Sequence, residues 1–139
     1  MTQEDKELLL KDLCARLPYG VKVESVFINP DTKEHKSCGI EVFNATSLLM
    51  IRDGLGEFKP YLFPLSSMTE TQQEEFDRIY ADDMQVVANN LKNRLDGKPY
   101  ETNLGHYRHI DWLSAHHFDY RRLIEKSLAL DATNLGIYE

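Results

Sequence analysis

Apolar residues recur at helical spacing in two long stretches of this chain and cluster in short runs between them. Leu9, Leu10, Leu13 and Leu17 follow one another at intervals of three and four, which predicts a helix over residues 3–17, with Thr2 and Asp5 as its capping pair and Pro18 and Gly20 as its stop. "GVKVESVFI" alternates and is rich in β-branched residues, so it reads as a strand, and "NPDTKEHKS" is a polar loop. "CGIEVF", with Ile40 and Val42 on one face, reads as a second strand and "SLLMI" as a third. "DGLGE" supplies turn glycines and "FKPYLFPL" a fourth strand. Pro60 and Pro64 lack a ladder N–H, so that strand is expected at a sheet edge.

The rhythm changes at residue 69. Thr69 and Gln72 match a capping box, and Phe76, Ile79, Tyr80, Met84, Val87, Leu91 and Leu95 form a helical stripe. Acids (Glu70, Glu74, Glu75) crowd its start and bases (Lys92, Arg94) its end, as the helix dipole favours, and Gly97 and Pro99 end it. A further helix is expected from about residue 107, and another from Tyr120 to Leu130 capped by Asp119. "DATNLGIYE" reads as a tail. With no internal repeat or linker, the pattern predicts one α+β domain over residues 1–139. Its sheet is a four-stranded antiparallel meander or a small, partly closed barrel, packed against the one long helix, with an N-terminal helix and a C-terminal helical segment covering the rest.

Composition adds limits. The chain is 42% hydrophobic and 28% charged, enough for a core without metal or disulfide. A net charge of −7 disfavours phosphate backbones and anionic membranes. The start, "MTQEDKELLL", is acidic where a signal peptide is basic, and no apolar run reaches the ~20 residues of a membrane span. Cys14 and Cys38 form no CxxC pair, which points to a reducing cytoplasm, and Cys14 falls in the apolar register of the first helix.

Two stretches, "FKPYLFPLSSMTETQQEEF" and "DWLSAHHFDYRRLIEKSLAL", preceded by "LLLKDLCARLPYGVKV", resemble a family of small uncharacterised proteins of gut Bacteroidetes, often found near phage-like or mobile elements. The resemblance runs through nearly the whole chain in the same order. The family pattern has KPYLRP before SSMT, and DWLN ahead of a HFDYRGLI segment. This chain departs at Phe63, where the pattern has Arg, at Ser114, where it has Asn, and at Arg122 and Ser127, where it has Gly. The resemblance implies a bacterial cytoplasmic setting and no particular chemistry. A ligand contact made by the usual Arg would be lost at Phe63, which has no donors.

The candidate chemistry lies in segment 106–122, which holds four of the five histidines. His106, His109, His116 and His117 would need one continuous helix to share a face, as a zinc site requires, and no HExxH pair is present. Tyr107, Arg108, Trp112, Phe118, Tyr120, Arg121 and Arg122 interleave rings with bases, the combination that binds single strands. Equal numbers of acids and bases in this region weaken that reading, and Trp112, Leu113, Tyr120, Leu123, Ile124 and Leu128 have the look of core anchors. Asp82 and Asp83 are adjacent and diverge on a helix, Ser66 and Ser67 suit capping, and no GxSxG, GxGxxG or P-loop occurs. "KPYLFPL" reads as edge protection or as a surface accepting a partner's strand or Pro-rich peptide.

Two readings follow. The first is a non-enzymatic accessory or interaction protein of a bacterial mobile element with a protein partner, no cofactor and no metal. Its candidate binding residues are Lys59, Tyr61, His116, His117, Arg121 and Arg122. The second is a nucleic-acid-associated or metal-dependent activity centred on residues 106–122. The sequence fixes no oligomeric state.

Overall fold

A computed structural model describes residues 2–98 and 107–138. They fall into two compact units, Met1–Ser67 with Ser114–Glu139, and Met68–Leu113. The expected α+β class holds, with four helices and a five-stranded mixed sheet among the described residues, and no described helix is long and apolar enough to cross a membrane.

In the first unit, helix α1 (Gln3–Arg16) starts where the Thr2 hydroxyl accepts from the Asp5 N–H, as expected. It buries Leu9 and Leu13 against Val21, Val23, Phe43, Phe58, Leu62, Leu123 and Leu128. Cys14 is exposed, one step off the buried face, so its apolar register does not bury it. Strand β1 (Lys22–Ile28) is central. It pairs antiparallel with β2 (His35–Val42) on one side and with β3 (Gly56–Pro64) on the other. Two very short strands, β4 (Phe118–Asp119) and β5 (Leu130–Asp131), then pair parallel with the end of β3. The order β2-β1-β3-β4 is neither a meander, which would keep chain order, nor a closed barrel, and the sheet is not wholly antiparallel.

Three elements correct the sequence reading. "SLLMI" is helical, within α2 (Ala45–Arg52). Asn44 and Ser47 form a reciprocal capping box at its start, and the short apolar run from Leu48 to Ile51 has no period strong enough to override such a cap. "FKPYLFPL" is an interior strand. Ile28 donates to the Leu55 carbonyl, so by alternation Lys59 turns its polar groups to β1 and Pro60 turns its missing N–H away from it. Pro60 also lies just before the stretch, Tyr61 to Pro64, where β5 and β4 pair. The expected helix from Tyr120 to Leu130 is a chain of turns. Arg122 and Ser127 have φ of 60° and 61°, a left-handed geometry that interrupts a right-handed helix.

The second unit contains α3 (Glu70–Leu95), opened by the expected Thr69–Gln72 box, and most of α4 (Arg108–Ala115). Of the apolar stripe on α3, Tyr80, Val87, Leu91 and Leu95 are exposed.

Candidate functional site

The six candidate binding residues do not converge. Lys59 and Tyr61 sit on interior β3, both half-buried, and Lys59 lies opposite Glu24 of β1. Burial, with the Glu24 charge beside it, raises the Tyr61 phenol above its ordinary value. His116 and His117 face a cleft, Arg121 turns into the interior, and Arg122 is exposed. His106 lies outside the described residues.

Arg121 joins a polar network that the sequence reading missed. Asp12 and Arg16, one turn apart on α1, are both fully buried. Arg16 Nε donates to Asp12 Oδ2 at 2.8 Å, and its Nη2 donates to the Phe118 carbonyl of β4 at 2.6 Å. The other Asp12 oxygen accepts from Arg121 Nη1 at 2.8 Å. Arg121 also donates to the Tyr120 hydroxyl, which meets Ser114 Oγ at 3.1 Å. Both guanidinium carbons lie within 5 Å of the Tyr120 ring centre, Arg16 at 4.9 Å and Arg121 at 4.6 Å. A buried carboxylate holding two arginines fixes α1 to the C-terminal segment, and it leaves Arg121 and Tyr120 unavailable to a phosphate or a base.

The cleft, about 340 Å³, is lined by Phe63, His116, His117, Ala132, Asn134 and Tyr138 among others. Its wall is the segment that reads as a tail. Tyr138 stacks on His117 with ring centres 3.7 Å apart and 11° between planes. Its hydroxyl accepts from the Lys22 N–H at 2.9 Å and donates to the Tyr61 carbonyl at 2.6 Å, bridging β1 and β3 where their direct pairing stops. Lys22 Nζ donates to the Ile137 carbonyl. Burial pushes the Tyr138 phenol up to about 12. Burial, with the charges of Arg16, His116 and Lys22 nearby, lowers His117 from 6.5 to about 4, so its ring is neutral at pH 7. Phe63 packs against Phe118 and Tyr138, which makes this cleft aromatic.

In the second unit, His109 pairs with Asp83 across 26 residues. Asp83 Oδ2 accepts from the His109 N–H at 2.8 Å and lies 2.6 Å from its Nδ1. Burial works to raise the Asp83 carboxyl, but the His109 backbone and ring and the Arg108 N–H outweigh it and hold the carboxyl below its ordinary value. Phe76, Tyr80 and Tyr107 surround the imidazole at 6.1, 5.0 and 5.5 Å. Trp112 packs on Phe76 and donates to Glu75 at 3.1 Å. Asp83 thus orients this imidazole. Among the described residues no three His, Cys, Asp or Glu side chains gather to hold a metal ion.

Strand β2 is an open edge of the sheet. All eight of its residues are exposed, it lies at the end of the strand order, and Ile40 and Val42 are 54% and 49% exposed. Its outer N–H and C=O groups have no strand beside them among the described residues. Sequence reasoning assigned the edge to the proline-bearing strand and missed this one. The polar run "HKSCGIEV", with a glycine in mid-strand, was the available signal. Compared with known proteins, the chain matches no family model, no curated protein and no solved structure.

Proposed function

We propose that this chain is a non-enzymatic accessory or interaction protein and that it acts through the open edge of β2. One observation carries the reading: an eight-residue edge strand exposed throughout, with two apolar side chains on its outer face. Such an edge offers a row of unused backbone donors and acceptors to an added strand, with the side chains setting selectivity. The resemblance to small proteins found near mobile elements is compatible with an accessory role. The segment proposed for a nucleic-acid or metal-dependent activity offers less support, because Arg121, Tyr120 and His109 are engaged within the fold.

The test is a photo-crosslinking amino acid at position 40 of the full chain in cells, with the same group at exposed Leu49 of α2 as control. Discrete protein adducts, of any identity, at position 40 and not at 49 are expected. No adduct at position 40, together with turnover in a broad substrate screen, would overturn the proposal.

A further inference from the structure

We infer that the strand added to β2 is β2 of a second copy of this chain. The inference rests on the reading of β2 as a protein-binding edge and names its partner. It follows from a bulge. The register between β1 and β2 shifts at Ser25/Val26: Ser25 pairs with Gly39, and Val26 with Ser37, so Cys38 is the extra residue. Gly39 has a φ of 80°, suited to that irregularity. Phe43 donates to the Val21 carbonyl, and Asn29 to the Glu34 carbonyl. By alternation from both ends, Lys36, Cys38, Gly39 and Glu41 turn their polar groups to β1, and His35, Ser37, Ile40 and Val42 turn theirs outward.

Between the outward groups of Ser37 and Ile40 lie two residues where a regular strand has one. A regular strand that bonds one half of this edge is therefore out of step on the other half. A second β2 carries the same spacing. Set antiparallel, with a two-fold axis between Cys38 and Gly39, it places His35 against Val42 of the second copy and Ser37 against Ile40 of the second copy. Every outward residue then meets an outward residue. The same register sets Lys36 against Glu41 of the second copy, twice by symmetry. Lys36 lies opposite Phe27 and Glu41 opposite Val23, so both side chains are on the same face of the sheet, as ion pairing requires. The bulge discourages other strands and fits its own copy, and the charges reinforce one register.

Pairing through one strand buries less than the ~1,200 Å² of a standard interface, so a dissociation constant in the micromolar range is expected. Sedimentation of the full chain from about 1 to 500 μM is expected to show monomer and dimer. Lys36→Glu alone and Glu41→Lys alone each set like charges opposite one another twice, and each is expected to weaken the dimer about tenfold or more. An equimolar mixture of the two variants, and the double variant, restore it. In a Cys14→Ser background, mild oxidation is expected to link two copies through Cys38. The axis sets these cysteines about 6 Å apart, within the roughly 4.4–6.8 Å a disulfide spans. A wild-type chain that stays monomeric to 500 μM, or a dimer indifferent to both charge reversals, overturns the inference. A monomer that still crosslinks to a different protein at position 40 overturns this inference alone. Absence of any adduct there, together with turnover in the substrate screen, removes the interaction reading as well.

Discussion

Strands β2 and β3 flank the same central strand and have opposite fates. β2 is exposed along its whole length, whereas β3 buries Phe58, Pro60 and Leu62 and is met by β4, β5 and the Tyr138 hydroxyl. Local composition points the other way, since β3 carries the two prolines and β2 carries none. The difference comes from the C-terminal segment, which returns to β3 and leaves β2 open. A strand's edge status is a property of what the rest of the chain covers.

That contrast can be broken most forcefully at Asp12, the carboxylate that ties Arg16, and through it β4, to Arg121. Asp12→Ala leaves two arginine charges without their partner and is expected to cost about 3–5 kcal/mol, read as a lower urea midpoint. Hydrogen exchange at the Phe63 amide, which donates to the His117 carbonyl, should rise with it. The next test compares the strands directly. Leu62→Ala, in the fully buried part of β3, is expected to lose about 2–5 kcal/mol. Ile40→Ala in β2 is expected to stay within about 0.5 kcal/mol for the monomer, and equal losses at the two sites would erase the distinction.

A smaller effect concerns His117, whose stacking on Tyr138 holds the returning segment. Its folded value, about 4, lies below its unfolded value of 6.5, so as pH falls the unfolded chain takes up the proton first. The stabilisation is therefore complete above pH 6.5 and is lost as pH falls toward 4. Its size is about 1–2 kcal/mol once partial exposure is allowed for. His117→Asn keeps a residue that tolerates the positive φ of 63°, and is expected to flatten the urea midpoint between pH 6.5 and 4 relative to wild type. Smallest are Arg122→Gly and Ser127→Gly. Relief of left-handed strain exceeds the added freedom of the unfolded chain by about 0.5 kcal/mol each, read as a higher melting temperature.

The helices with caps and period were legible in the sequence: Thr2 opens α1, and Thr69 with Gln72 opens α3. α2 was not, because its eight residues are too few for a period and Ser47, the partner of Asn44 in its capping box, was read into the strand "SLLMI". The C-terminal segment was half legible. Leu123 and Leu128 are core anchors as expected, but helical spacing in "YRRLIEKSLAL" does not reveal two left-handed residues. Of the candidate residues, His116 and His117 do line a cleft, while Arg121 is drawn inward by Asp12, more than a hundred residues away in sequence.

The sequence by itself determined the elements whose signals are local: capped helices, alternating strands, the turn glycines and the acidic charge. Those depend on hydrogen bonds and side-chain directions within a few residues. Tertiary structure alone decided which strand is open, which arginine is buried and where Tyr138 binds. Each of these depends on distant segments competing for the same backbone groups and the same buried charge, and no window of neighbouring residues contains that competition.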